Sequence, residues 1–417
     1  MSKRNFARAL VGAAALALAA PAAQAQDKTI KIGLAEDFTA VYTFASIEYA
    51  QGQQDYLALV NARGGVKGHK FQALVVDHGN QPQRGIEAYE RFKTEGVVLV
   101  DFLSTPVSRA VVPRALKDGI PIITMFHGRS DSADGQTFPY IFPMTPLYWS
   151  QATHLVQYIS VQEKGSLKGK KIAFVHIDSP FGKEPIQLLQ ALAAKHGFEL
   201  QLFPYPSPGN EQSSTWAAAR RFQPDWTILW GTATPQSVSL REAIRNGFKL
   251  DRLASVIWLS ETEVGIVGND ALKGVLRFEG VAHGKDQPVI QAIQKEVIAK
   301  GKGSGKPEKV GSTYYNIGVA SMALTVQGAR LALEKLGEPL TPAKLKQGLE
   351  MISNYDGEGL LPPTTITAKD HQGGGAGRIA QWDGTKWVPK TGWFAAGQDL
   401  VWELVKKNAD EFKASGK

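Results

Sequence analysis

The chain has no cysteine, so its eight histidines are the side chains most open to metal or general-base chemistry. None of them pairs with another histidine or a carboxylate at a metal-ligand spacing, and no metal site is expected. His69, His154 and His196 read as surface or helix residues. His127 differs: it lies just past the β-prone run Ile120–Met125 and beside Arg129, where a crevice would open, the alternative being an exposed loop histidine. The short catalytic signatures fail. There is no H-E-x-x-H, no G-x-S-x-G and no Walker A loop, since Gly305-Lys306 is followed by Pro307. The run Gly373–Gly377 follows the turn-forming Asp370-His371-Gln372 and precedes strand-like residues, not a helix, so it does not suit a phosphate. No nucleophile can be paired with a base. The chain therefore reads as a non-enzyme without a cofactor.

Residues of these types must be positioned by something, and the N-terminus says where. Lys3, Arg4 and Arg8 precede an apolar stretch from Ala9 to Ala20 and the small-residue triplet Ala23-Gln24-Ala25. That is the pattern of a secretory signal peptide, expected to occupy 1–25 and to be cleaved near Ala25. Its apolar core is shorter than the ~20 residues of a membrane span. The mature chain is expected to be soluble and exported. Without disulfides its core alone must hold it. The three signal-peptide cations account for three of eight net positive charges, leaving a modest excess of five. The remaining Lys and Arg are dispersed, with no basic-aromatic run for a nucleic-acid groove.

Along the mature chain β-branched runs alternate with amphipathic stretches. Thr29–Leu34, Phe71–Asp77, Val97–Leu103 and Ile120–Met125 read as strands, with helices over Ile47–Ala62, Arg84–Lys93 and Ser108–Lys117 between them. A second series follows: strands at Lys171–Ile177, Leu200–Tyr205, Trp226–Trp230 and Ser255–Leu259, with helices from Tyr148, over Glu184–His196 and over Pro235–Asn246. Strands alternating with helices imply parallel sheets covered on both faces. The fold class is α/β: two doubly wound, Rossmann-like lobes, each with a crevice at the carboxyl ends of its strands and a ligand expected between them. Helices near Val289–Ala299, Tyr314–Leu336, Pro342–Met351 and Gln398–Phe412 complete the chain.

Several strings, in order, carry a resemblance. They are Ile30–Leu34, Val60-Asn61-Ala62-Arg63-Gly64-Gly65-Val66-Lys67-Gly68, Val75-Val76-Asp77, Ser104-Thr105, Gly119–Ile123, Ser179-Pro180-Phe181-Gly182, Pro224-Asp225 and Leu240–Gly247. Together they resemble the type I periplasmic binding proteins of the leucine/isoleucine/valine-binding class. The resemblance implies a hinge of three crossings, near 143–147, 281–284 and 355–362. One lobe would combine 27–146 with 285–356. The other would combine 147–284 with 357–417, including a C-terminal extension.

It also implies a site. Ser104 and Thr105 would hold a ligand carboxylate at a helix N-terminus, or else merely cap that helix. Phe126, His127, Gly128 and Arg129 would supply the loop of a second carboxylate contact, Phe181 an aromatic wall, and Glu261, in register to within a residue or two, an ammonium partner. Trp230-Gly231-Thr232 replaces the usual Gly or Tyr before the cleft loop. With Tyr42, Phe44, Phe102, Tyr148, Trp149 and Trp258, Trp230 suggests an apolar or aromatic pocket. The implied function is the periplasmic component of an ABC importer, a monomer that binds a small carboxylate and docks on an inner-membrane permease. A hydrophobic or branched-chain amino acid is the first expectation. An aromatic acid, a short amide or urea, or a sensor role on a signalling receptor stay open.

Overall fold

Residues 28–416 are described by a computed structural model, so the expected signal peptide lies outside the described residues. The chain begins β1 (Lys28–Glu36), α1 (Thr43–Ala62), β2 (His69–Asp77), α2 (Pro82–Thr94), β3 (Val100–Phe102), α3 (Thr105–Asp118), β4 (Ile122–Ile123) and β5 (Ile141–Phe142). These strands form one parallel sheet in the order β2-β1-β3-β4-β5. In β1 the alternation required by a pleated strand is visible: Ile30, Ile32 and Leu34 face one core, while Ala35 joins Tyr89, Phe92, Val107 and Val111 on the other.

The chain then crosses to α4 (Tyr148–Gln162), β6 (Lys171–Asp178), α5 (Pro180–Lys183), α6 (Ile186–His196), β7 (Glu199–Pro206), α7 (Ser213–Phe222), β8 (Trp226–Trp230), α8 (Ala233–Arg245), β9 (Leu253–Ser255), α9 (Glu261–Val267) and β10 (Leu276–Glu279). It returns through α10 (Pro288–Glu296), α11 (Thr313–Lys335) and α12 (Pro342–Leu349); α10 and α11 pack on α1, and α12 packs on α11. It ends in β11 (Ala376–Trp382), β12 (Trp387–Pro389), β13 (Phe394–Ala395) and α13 (Gln398–Ala414). The second sheet runs β12-β11-β10-β9-β8-β6-β7, with β13 paired to β11. Its β7-β6-β8-β9-β10 half is parallel and repeats the strand order of the first sheet; β11 and β12 extend it antiparallel.

Some expected elements differ. The strand anticipated over Ser255–Leu259 is Leu253–Ser255. Beyond it the carbonyls of Trp258 and Leu259 accept side-chain donors, Gln236 Nε2 at 3.1 Å and Arg277 Nη1 at 2.7 Å, so they have no need of a strand neighbour. The helix anticipated over Glu184–His196 begins earlier, as α5, and is interrupted at Pro185. Neither α7 nor β10 was expected from the local pattern. The C-terminal helix α13 packs on α4 and α6, and it also reaches the first sheet's side: Phe412 and Phe138 have ring centroids 4.8 Å apart, and Ala409 joins that side's core. Among the described residues, no helix is long and apolar enough to cross a membrane.

Candidate functional site

In each sheet the strand order reverses beside one strand, between β1 and β3 in the first and between β6 and β8 in the second. Connections leave such a point in opposite directions, opening a crevice at the carboxyl ends of the strands. Here the two crevices face each other across one small, partly open cavity. The first sheet contributes Tyr42 and Ala45 after β1, Leu103, Ser104 and Thr105 after β3, and His127 after β4. From the other side come Tyr148 at the start of α4, Phe181 after β6, Thr232 after β8 and Trp258 after β9.

The two adjacent hydroxyls are not equivalent. Ser104 is the N-cap of α3: its Oγ accepts from Val107 N at 3.4 Å, and its proton goes to Asn80 Oδ1 at 2.6 Å. Thr105 Oγ1 accepts from Gly128 N at 3.2 Å and lies 3.5 Å from Tyr148 Oη. That Oη also accepts from Trp258 Nε1 at 3.2 Å, and between Thr105 and Tyr148 either hydroxyl can donate. Thr105 thus accepts one backbone N–H and shares a hydroxyl pair with Tyr148, at the first turn of a helix with its positive dipole end. The loop that brings Gly128 to it needs φ of +59° at Phe126 and +93° at Gly128, the second of which suits glycine.

His127 is buried, and its Nε2 is in a short hydrogen bond to the Phe102 carbonyl. A carbonyl only accepts, so the proton sits on Nε2 and Nδ1 carries a lone pair, which has no protein partner. Burial pushes the ring's pKa down to about 4, which keeps it neutral near pH 7. Four aromatic rings form most of the apolar wall; Phe181 lies 6.4 Å from Tyr42, edge to face, and 5.3 Å from Tyr148. Thr232 Oγ1 is 3.3 Å from Tyr314 Oη, a hydroxyl that also contacts the buried carboxyl of Glu263.

Four of the anticipated site residues do not line this wall. Gly128 reaches it only through its N–H on Thr105 Oγ1. Arg129 is held in a fork by Asp131, at 2.6 and 2.5 Å, and its guanidinium lies 4.6 Å from the Phe138 ring and 4.4 Å from that of Phe412, facing an outer groove. Glu261 turns to the N-terminus of α11, accepting from Thr313 N at 3.0 Å and Thr313 Oγ1 at 2.9 Å. Trp230 is fully buried one layer behind, 5.5 Å from Tyr148. Of the other aromatics, Tyr148 and Trp258 line the cavity. Phe44 packs against Tyr314, Phe102 faces the opposite core, and Trp149 donates to the Glu184 carbonyl at 2.9 Å. Ala45 and Leu103 were not anticipated; small and apolar, they carry no signal a sequence reading could use. Among the described residues, no group of three or more His, Cys, Asp or Glu is placed to hold a metal ion.

Two parallel sheets in the same strand order, with their crevices opposed over one cavity, define an α/β binding-protein architecture. Comparison with known proteins supports this and goes further: the profile of the periplasmic binding protein family matches residues 29–386, and the chain belongs to that family. A Leu/Ile/Val-binding protein homolog 3 of Brucella melitensis biotype 1 is 20% identical over 286 residues, 68% of this chain and 76% of that protein. Among solved structures, one from the Pseudomonas fluorescens group, described as an ABC transporter permease, is 34% identical with a TM-score of 0.85, covering 94% of this chain and 98% of that one. A branched-chain amino acid ABC transporter protein of Thermus thermophilus with bound valine superposes with a TM-score of 0.79 at 22% identity, over 91% of this chain and 99% of that one.

Proposed function

We propose that this chain is the exported, non-enzymatic substrate-binding component of an ABC importer, and that it holds a small carboxylate with an apolar body between two lobes that close on it. One observation carries the reading: Thr105, whose hydroxyl stands at the N-terminus of α3 beside that of Tyr148, lines a cavity walled by Tyr42, Tyr148, Phe181 and Trp258 where both strand orders reverse. An anion fits the helix end and the hydroxyl, and the rings supply contact area at low entropy cost. The Leu/Ile/Val-binding name of the Brucella relative and the valine bound to the Thermus protein support an import role for this chain as well.

Titration calorimetry of the ligand-stripped mature chain against hydrophobic amino acids and small organic acids tests this. Replacing Thr105→Val should weaken the ligand found by about 1–3 kcal/mol. Ser104→Ala removes a cap and should lower the unfolding temperature with a smaller effect on affinity. Unchanged affinity in the Thr105 variant would refute the assignment of the anion to that hydroxyl.

A further inference from the structure

We infer that the cleft selects carboxylates that carry no ammonium group, an inference resting on the carboxylate-receptor reading above. An α-amino acid brings two charges into a buried site, and its cation needs an anionic partner there, because an unpaired buried ammonium is costly. Among the described residues, no carboxylate lines the cavity.

Most of the acids around it are committed elsewhere. Glu261 spends both oxygens on Thr313. Glu263 accepts from Ala233 N at 2.9 Å and Ser260 N at 3.0 Å, completes the capping box of α9 with the Ser260 hydroxyl, and meets Tyr314. Asp37 takes the backbone N–H groups of Ala40 and Tyr42 at 2.8 and 2.9 Å. Glu48 is bound by Lys309, Ser312 and Thr262, and Glu184 by Arg109 and Ser130 N. Glu36 and Asp101 are fully buried and do not line the cavity; Asp101 is held by Tyr49, Gln53 and Ser321, and Glu36, whose oxygens have no hydrogen-bond partner, is kept toward its neutral form by burial and the nearby Asp101.

What the wall does offer is the Thr105 and Tyr148 hydroxyl pair at a helix N-terminus, the neutral ring of His127, whose Nδ1 is itself buried, and the aromatic rings. None of these provides a negative charge, and attraction of a cation to the rings is weaker than the desolvation it would have to offset. The chemistry therefore matches a flat or branched apolar acid whose remaining polar group, if any, is a neutral donor such as a hydroxyl.

The test uses matched pairs differing only in the amine, titrated into the stripped, refolded mature chain after it shows a single cooperative unfolding transition: 4-methylpentanoate against leucine, and 3-phenylpropanoate against phenylalanine. The expected result is that the amine-free acid of at least one pair binds, and binds at least about tenfold more tightly than its amino acid. An amino acid that binds as well as or better than its amine-free partner overturns the inference and leaves the receptor reading standing. Failure of all four compounds, and of a wider set of organic acids and amino acids, overturns the carboxylate reading itself and the inference with it.

Discussion

Different partners separate Ser104 from Thr105. Both are hydroxyls after β3, yet Asn80 takes the proton of one, while the other accepts from Gly128 N and is paired with the Tyr148 hydroxyl. Two buried carboxyls lie on the same sheet. Burial raises the pKa of Asp101 to about 7, against the opposing hydrogen bonds of Ser321, Tyr49 and Gln53, and raises Glu36 well above its ordinary value through burial and the nearby Asp101. A carboxyl whose folded pKa is raised contributes stability that is complete below its unfolded value, about 4, and is lost as pH rises through the folded one. His78 and His127 act in the opposite sense: burial lowers each to about 4, so their contribution is present above about 6.5 and lost as pH falls through 4. Between about pH 4 and 6.5 the two contributions therefore oppose each other, the carboxyls lowering and the histidines raising the unfolding temperature as pH rises. Asp101→Asn removes the carboxyl's share, so its unfolding temperature should fall less, or rise more, between about pH 4 and 7 than that of the parent, read by calorimetric melts across that range; an unchanged slope would show that Asp101 does not titrate there.

At the scale of elements, α1 and α11 cross at a reciprocal pair of glycines. A Cβ on Gly52 would fall 2.1 Å from the Tyr315 carbonyl oxygen, and one on Gly318 would fall 2.0 Å from that of Tyr49. Both obstacles are backbone, so the helices would have to move apart. That shift would carry Tyr49 away from Asp101, and Ala45 on the same helix away from the cavity. Gly52→Ala should therefore cost at least ~2 kcal/mol in chemical denaturation, beyond the small gain in helix propensity that alanine brings. A neutral or stabilising outcome would mean that the crossing is looser than the geometry indicates. Gly85 on α2 is placed similarly, its Cβ position 2.1 Å from Val107 Cγ1, but a side chain can yield where a carbonyl cannot.

Across the whole molecule the two sheets are tied beside the cleft by a few polar contacts. The buried Glu184 carboxylate, from the second sheet's side, accepts from Arg109 at 2.8 Å and from Ser130 N at 2.7 Å on the first sheet's side, and α13 lays Phe412 against Phe138 next to them. If ligand binding closes two lobes, this contact belongs to the closed form, and removing it taxes closure. Arg109 is partly exposed, which discounts the pair. Glu184→Ala should weaken ligand binding by roughly fivefold and enlarge the radius of gyration of the liganded protein in small-angle scattering. Unaltered affinity and scattering would argue that the two halves do not move about this contact.

The alternation of β-branched runs with amphipathic helices was readable from sequence because it depends on residues a few positions apart. It located both doubly wound sheets and the post-strand positions of Ser104, His127, Phe181 and Thr232. Short elements such as β10 and α7 escaped because four to ten residues carry too little periodicity. The direction of each polar side chain lay beyond such a reading. Arg129 follows an acid two positions on and a ring from the far C-terminus, and Glu261 follows a helix start 52 residues away. Local pattern decides where a strand ends; only partners distant in the chain decide what each hydroxyl bonds and whether a carboxylate reaches the cavity.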